Sequence, residues 1–253
     1  MPRALCNRYE WSQPPPKISR PVANVLVRLS TIFADFGQPL RDASNSASID
    51  NDLVGWSAIS KNVSSLAIWD YSTNFASFLT PFPSWSVIGA NVQHYHRHGV
   101  SAVFSEGPYS SAGGDMARLQ AYVLGRMLFN ASLDSQALID EFVLGYFGEH
   151  VAPFIRLYMN VFKGAIYDGV GTGSANYRTS TGTVWVSTNQ YVGGMPSEAA
   201  FLSPIAVITA GVAFNSARAV AVAKGGAVHV TRVDEASMPV RAVALLKWSN
   251  LSR

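Results

Sequence analysis

Three short apolar runs alternate along the chain with longer segments in which apolar residues recur every three or four positions. The short runs are continuous and rich in β-branched residues, which is typical of buried strands, and they cover 22–29, 65–69 and 100–105. Helical spacing follows the third run in 114–129, 134–147 and 151–166. Because strands alternate with helices, the pattern predicts an α/β fold built from βαβ units around a parallel sheet.

The remaining elements are set by capping residues and by composition. Asp52 is a candidate cap for a short helix ending at Ile59, and Ser84 for a helix that ends before Gly99. Residues 166–196 are dominated by Gly, Ser and Thr and predict a loop or linker, with a candidate strand at 183–186. Two further helices are expected at 197–224 and 237–248.

Composition narrows the class of protein. The 253 residues are 48% hydrophobic and 14% charged, which is enough apolar material for a core and excludes a disordered chain. The net charge of +3 comes without a basic run, so a nucleic-acid partner is not expected. The single cysteine, Cys6, excludes an internal disulfide and a cysteine-based zinc site. The N-terminus lacks the apolar core of a signal peptide. The apolar stretch 204–223 is interrupted by polar residues, so no membrane span is expected. The sequence leaves the localisation and the oligomeric state open.

An ordered series of motifs resembles the DUF4838 family, a domain of unknown function with a glycosidase-type TIM barrel, related to α-glucuronidases and hexosaminidase-like enzymes. The motifs are Pro14-Pro15-Pro16-Lys17, 24–29, Gly55-Trp56-Ser57, 68–75, Pro81-Phe82-Pro83, His98-Gly99-Val100, 104–107, 127–130 and 140–148. The resemblance covers residues 9–163 and returns weakly at 232–240. It implies a partial TIM-type barrel with three to four parallel strands, equivalent to the C-terminal half of the family's barrel.

That resemblance also implies an organisation of the chain and a class of activity. Residues 1–165 would form the half-barrel, 166–196 a linker and 197–253 a helical C-terminal region. The N-terminus would then be truncated relative to full-length members. The expected function is glycoside hydrolysis, with uronide-type bonds as one option and without a cofactor. The alternatives are a carbohydrate-binding or scaffold protein without turnover, or a barrel fragment that cannot fold alone.

Two carboxylates follow directly after buried strands. Hydrolysis of a glycosidic bond needs a pair of carboxyl groups, one as acid and one as base or nucleophile. Asp70 follows Ile68-Trp69 and Glu106 follows Phe104-Ser105, at the strand ends where barrel enzymes build their sites. The sequence therefore predicts Asp70 and Glu106 as catalytic residues on neighbouring strands. Alternatively, Asp70 caps the following turn and Glu106 pairs with a basic residue.

Aromatic and polar residues near these carboxylates are candidate substrate contacts, since sugars stack on aromatic rings and bond to polar groups along the ring edge. They are Trp69, Tyr71, Asn74, Arg28, Tyr109 and Trp11. Arg28 would suit a substrate carboxylate, as in a uronic acid. Equally, Trp69 could be a core residue and Arg28 could neutralise one of the two acids.

Three other motifs in the sequence give weaker indications of function. His94 and His98 share a helix face and could bind a metal, but imidazoles also favour the negative end of a helix in solvent, and no metal site is predicted. The glycines of 169–173 follow no strand, so a nucleotide loop is not expected. Cys6 lies in a proline-rich lead-in and lacks the features of a nucleophile.

Overall fold

The computed structural model describes most of the chain in eleven stretches. These are residues 3–5, 15–31, 34, 36–41, 49–61, 65–74, 77–109, 114–168, 177–179, 182–184 and 200–247. Trp11, Cys6, the glycines of 169–173 and residues 185–186 of the candidate strand lie outside the described residues.

A parallel sheet forms the centre of the fold. Its strands, in spatial order, are β1 (Arg3–Leu5), β2 (Val25–Ser30), β3 (Ser65–Tyr71) and β4 (Val100–Glu106). Each strand pairs in parallel with the next one in the sequence. The α/β class with a parallel sheet is therefore confirmed, and β2, β3 and β4 lie within a few residues of the predicted apolar runs.

Helices connect and follow the strands. Their bounds are α1 (Asn51–Ser60), α2 (Ile88–Arg97), α3 (Ala117–Phe129), α4 (Ser135–Phe147), α5 (Ala152–Asp168), α6 (Pro204–Val220) and α7 (Gly226–Leu246). A short antiparallel pair, β5 (Tyr177–Thr179) and β6 (Gly182–Val184), lies between α5 and α6 in the chain and overlaps the candidate strand there. Single 3₁₀ turns occur at Ser84–Ser86 and Ala200–Leu202.

Two of the helix starts differ from their prediction. Ser84 does not cap α2; its hydroxyl donates to Oε1 of Gln120, and the helix begins at Ile88 after a 3₁₀ turn. Helix α1 begins at Asn51, so the N-cap position falls on Asp50 rather than Asp52, and neither carboxylate caps it. Asp134 does cap α4, accepting hydrogen bonds from the N–H groups of Gln136 and Ala137.

The last two helices form an antiparallel hairpin. The chain reverses at Gly226, which has φ +77°, a conformation that favours glycine. The arms are tied near the turn by Arg218 and Asp234 at 2.9 Å, and at the open end by Nζ of Lys247, which donates to the carbonyl of Leu202 at 2.7 Å. By length and mean hydropathy, 1.6 over 18 residues, the run 204–246 is apolar enough to cross a membrane. It nevertheless folds back on itself, and 39% of that window is buried inside the protein.

The start of the final helix was predicted wrongly. A helix beginning at Ser237 was expected, whereas α7 begins at Gly226 and passes through Pro239. Pro239 has no N–H to donate to the carbonyl of Glu235, which costs a helix stability in isolation. Its ring is buried against the core, together with Val240 and Val243 on the same helix. Burial of the helix face thus outweighs the local preference of proline.

One continuous core joins the sheet to the C-terminal hairpin. Helix α5 is the link: the ring of Tyr158 lies 4.7 Å from that of Phe214 on α6 and 6.2 Å from that of Trp85 beside the sheet. Tyr158 is fully buried. The proposed division at 166–196 into a barrel part and a helical part stays a prediction, because packing of this kind is compatible with one domain or two.

Candidate functional site

The register of the sheet places the two predicted carboxylates on opposite faces. Tyr71 pairs with Glu106, and Asp70 pairs with Ser105. Paired residues in a parallel sheet point to the same side, and successive residues point to opposite sides. Glu106 therefore shares a face with Tyr71, whereas Asp70 shares the helix-covered face with buried Ile68. The structure does not bring Asp70 and Glu106 together.

Asp70 is held by three donors on the helix-covered side. Its Oδ1 accepts from the hydroxyl of Thr31 at 2.7 Å and from the N–H of Tyr71 at 3.0 Å, and its Oδ2 accepts from the hydroxyl of Tyr95 on α2 at 3.1 Å. Burial raises the pKa of Asp70, and these three hydrogen bonds act against that rise. The carboxylate links the segment after β2 to helix α2, which is the role of a structural tie.

Glu106 ends β4 with a half-buried side chain. Its main-chain carbonyl accepts from the N–H of Ser72 at 2.8 Å and from the Ser72 hydroxyl at 3.1 Å, so the backbone at this point is fixed. Within the described part of the chain, no donor or cation pairs with the Glu106 carboxylate, so the alternative of a basic partner finds no support there.

The pKa of Tyr71 is affected by the charged side chains around it, including Glu106. Burial raises the pKa of Tyr71, a hydrogen bond with Ser30 lowers it, the charges of Glu106 and Asp70 raise it, and the charge of Arg28 lowers it. The oxygen atoms of Tyr71 and Ser30 are 3.4 Å apart. These side chains therefore form one electrostatic group, which includes the half-buried carboxylate of Glu106.

An aromatic surface continues from Glu106 along the same face. The guanidinium of Arg28 lies 4.5 Å from the centre of the Trp69 ring, and the edge of Phe104 meets Trp69 at 5.3 Å and 90°. Phe104 is 52% exposed, a large fraction for a phenylalanine on a central sheet. The indole N–H of Trp69 is buried and has no acceptor among the described residues. Arg28 thus lies over the ring of Trp69.

The other predicted contact residues are scattered. Asn74 is buried, with 1% exposed, and its carbonyl accepts from the N–H of Ser77 in a turn. Tyr109 is 83% exposed and packs edge-on against Phe78 at 5.2 Å. Of the six predicted contacts, the structure therefore brings Trp69, Tyr71 and Arg28 to the face that carries Glu106.

The histidine motif differs from its prediction of a solvent-exposed helix end. His94 is buried, and its Nε2 lies 2.5 Å from Oδ1 of Asp50. Burial lowers the pKa of His94, while the hydrogen bond and charge of Asp50 act in the opposite direction. His96 is exposed as expected, and the described residues contain no group of three ligands able to hold a metal ion. His94 therefore joins α2 to the start of α1.

Sequence reasoning overlooked Asp115, which is buried at the start of α3. Its carboxylate accepts from the N–H of Phe82 at 2.6 Å and from the hydroxyl of Tyr158, and its carbonyl accepts from the side chain of Gln120 at 2.8 Å. Burial raises its pKa to about 7. Asp115 thus joins the segment after β3 to the segment after β4. The only indication in the sequence is an acidic residue directly before an apolar helix, which is far too common to be specific.

The fold and this face together define a class of protein. The chain is an α/β protein with a parallel sheet, helices packed on one face, and a polar and aromatic surface at the carboxyl ends of the strands on the other. It belongs to the DUF4838 family, described as a domain of unknown function, whose family model matches residues 5–160. The resemblance found in the sequence is thereby confirmed. None of the curated proteins and none of the solved structures matches the chain.

Proposed function

We propose that the sheet face opposite the described helices binds carbohydrate and that the chain is a glycoside-hydrolase-like protein in which Glu106 contacts the sugar. The observation that carries this proposal is the position of Glu106. Its half-buried side chain is unpaired within the described residues, and it ends a strand beside Tyr71 and the exposed ring of Phe104. Sites of parallel α/β proteins are built at this edge of the sheet.

The chemistry of the face suits a sugar better than a purely apolar or purely ionic ligand. The half-exposed ring of Phe104, packed on Trp69, offers an apolar surface of the kind on which a pyranose stacks. Glu106 accepts hydrogen bonds from hydroxyl groups, and Arg28 adds a cation 4.5 Å from the centre of the Trp69 ring. A polyhydroxylated ring with one apolar side satisfies all of these groups at once.

Hydrolysis requires more catalytic groups on this face than binding does. Both known geometries of glycoside hydrolysis use two carboxyl groups on either side of the bond. Glu106 is the one carboxylate that the described strands place on this face, because Asp70 points into the helix layer. In the proposed reaction Glu106 is therefore the acid or base, and a second carboxylate on the same side is required for turnover.

The second candidate function, carbohydrate binding without turnover, follows from that same count. A single carboxylate on an aromatic face is sufficient for recognition and insufficient for the two-carboxylate mechanism. The two functions share the binding surface and differ only in whether product forms.

Measurements of binding and of product formation distinguish these two functions from each other. They also distinguish both functions from the absence of any carbohydrate role. Calorimetric titration of the whole chain with neutral and acidic polysaccharides measures binding, and reducing-end release measures hydrolysis. We expect Glu106→Gln to weaken binding by about tenfold, the loss of one charge-assisted hydrogen bond. The matched control is Glu149→Gln, an exposed glutamate in the turn between α4 and α5.

Each outcome assigns a function. Product release that is lost in Glu106→Gln and kept in Glu149→Gln supports the hydrolase. Saturable binding without product, weakened only by Glu106→Gln, supports the binding protein. Absence of binding to every polysaccharide, or equal binding by both variants and the unmodified chain, overturns the proposal for this face.

A further inference from the structure

A cleft on the outside of the helix layer is lined by charged and aromatic residues that have no part in the function proposed for the sheet face. It lies between the start of α3, the end of α4 and the first half of α7, and it is open to solvent. Its principal lining residues are Met116, Arg118, Phe142, Tyr146, Arg232 and Glu235. Two cations and one carboxylate thus surround an apolar floor.

Arg232 is fixed in this cleft by an aromatic stack. Its guanidinium lies 4.1 Å from the centre of the Tyr146 ring, and its Nη1 donates to the carbonyl of Tyr146 at 2.6 Å. The Tyr146 ring also stacks on Phe142, at 4.9 Å and 17°. The planar guanidinium therefore has one orientation before any ligand arrives, which reduces the entropy lost on binding.

The charge of Arg232 is not neutralised within the described residues. No carboxylate forms an ion pair with it, although Glu235 lies one turn further along α7. Glu235 instead contacts Arg118 at 3.4 Å, in a pair whose side chains are 33% and 59% exposed. A long, exposed pair of this kind contributes little stability, so both groups can exchange partners at low cost.

We propose that this cleft binds a small hydroxylated organic carboxylate, of the sugar-acid class. Arginine side chains present parallel N–H donors that match the two oxygens of a carboxylate, and Arg232 and Arg118 both line the same opening. Glu235, released from its pair with Arg118, accepts hydrogen bonds from hydroxyl groups of the ligand. The apolar floor formed by Met116 and Phe142 contacts the carbon skeleton.

The ligand that these side chains can contact together is a single sugar-acid unit at an open surface cleft. That unit can be a free sugar acid or a single acidic residue of a polysaccharide. The cleft is formed by helices, whereas Glu106 lies on the sheet face opposite the described helices, so this site is independent of the proposed function.

The test uses the whole chain and four probes in calorimetric or NMR titrations: galacturonate, the neutral sugar galactose, gluconate and a galacturonate oligomer. We expect galacturonate and gluconate to bind and galactose to bind at least about tenfold more weakly, because it lacks the charged acceptor. Arg118→Gln, at an exposed position, should weaken galacturonate binding by a similar factor. Equal affinity per ring for galacturonate and its oligomer assigns a free acid, and a much higher affinity for the oligomer assigns a polysaccharide.

Two controls keep the outcome clear. Arg126→Gln removes an arginine that also lies over an aromatic ring, Tyr122 at 5.4 Å, outside the cleft, and should leave binding unchanged. Glu106→Gln should also leave it unchanged, which separates this site from the sheet face. Arg232→Gln tests the fixed guanidinium, with circular dichroism to establish that it folds. Failure of galacturonate, gluconate and the oligomer to bind, or equal weakening by Arg118→Gln and Arg126→Gln, overturns the proposal.

Discussion

Replacement of Asp115 by asparagine should change how the stability of the protein depends on pH. The carboxyl group is 4% exposed and accepts hydrogen bonds from Phe82 and Tyr158, and burial raises its pKa from 3.8 to about 7. A group whose pKa is higher in the folded state than in the unfolded state keeps its proton on folding. Its contribution to stability is therefore complete at pH below 4 and decreases as the pH rises towards 7.

The magnitude follows from the difference between the two pKa values. Each pKa unit corresponds to 1.36 kcal/mol, so a rise from 3.8 to about 7 corresponds to at most about 4 kcal/mol of folding free energy lost between pH 4 and 8. Asparagine has nearly the same shape, keeps an oxygen acceptor for the N–H of Phe82, and does not titrate. We therefore expect Asp115→Asn to match the unmodified protein near pH 4 and to be more stable at pH 8.

Urea unfolding, followed by tryptophan fluorescence at several pH values, measures this difference. The change in free energy of unfolding between variant and unmodified protein cancels the titration of other groups that both proteins share. Asp140→Asn is a control of opposite sign: the hydrogen bond from Arg156 lowers the pKa of Asp140, so its contribution is present at neutral pH and lost in acid. A difference for Asp115→Asn that stays constant from pH 4 to 8 would refute the reasoning.

Paired substitutions test local backbone and packing. Gly148→Ala should destabilise the protein by about 1–2 kcal/mol, because φ is +82° and a Cβ would lie 3.0 Å from Nε2 of His229. Gly125 lies in an exposed part of α3, and a Cβ there would meet open space. Gly125→Ala should therefore stabilise the protein by about 0.5–1 kcal/mol in the same urea experiment. Phe147→Ala should cost about 3–5 kcal/mol since Phe147 is 2% exposed, whereas Phe104→Ala should cost only about 1 kcal/mol. A larger cost for Phe104→Ala than for Phe147→Ala would contradict the exposed position of Phe104.

Complete burial at its centre made strand β3 predictable from the sequence. Strand β3 is a continuous apolar run because Leu66, Ala67 and Ile68 are all at least 96% buried, and such a run has few alternatives. Strand β1 was not located because its three residues, Arg3–Leu5, are too short to carry a period. The first half of α7 was missed because two adjacent glycines and several polar residues precede its buried face.

The buried polar pairs could not be predicted from the sequence, for a different reason. His94 and Asp50 are 44 residues apart, and Asp115 and Tyr158 are 43 residues apart. Nothing in the local pattern distinguishes a histidine in solvent from one that meets a carboxylate of another helix. Such partners are set by packing angles between elements, and burial then changes the pKa of both groups.

The separation of Asp70 from Glu106 depends on one residue of β4. Strand β3 pairs with β4 from Leu66 and Val100, but the next pair is Ala67 with Ala102, so Ser101 is an extra residue, and its hydroxyl donates to the carbonyl of Leu66. In a regular ladder without this shift, Glu106 would have the same parity as Asp70, and both carboxylates would point to one face. The extra residue reverses the direction of every later side chain in β4 relative to β3. It therefore places Glu106 with the aromatic surface and leaves Asp70 among the helices, although both residues end neighbouring strands as the sequence predicted.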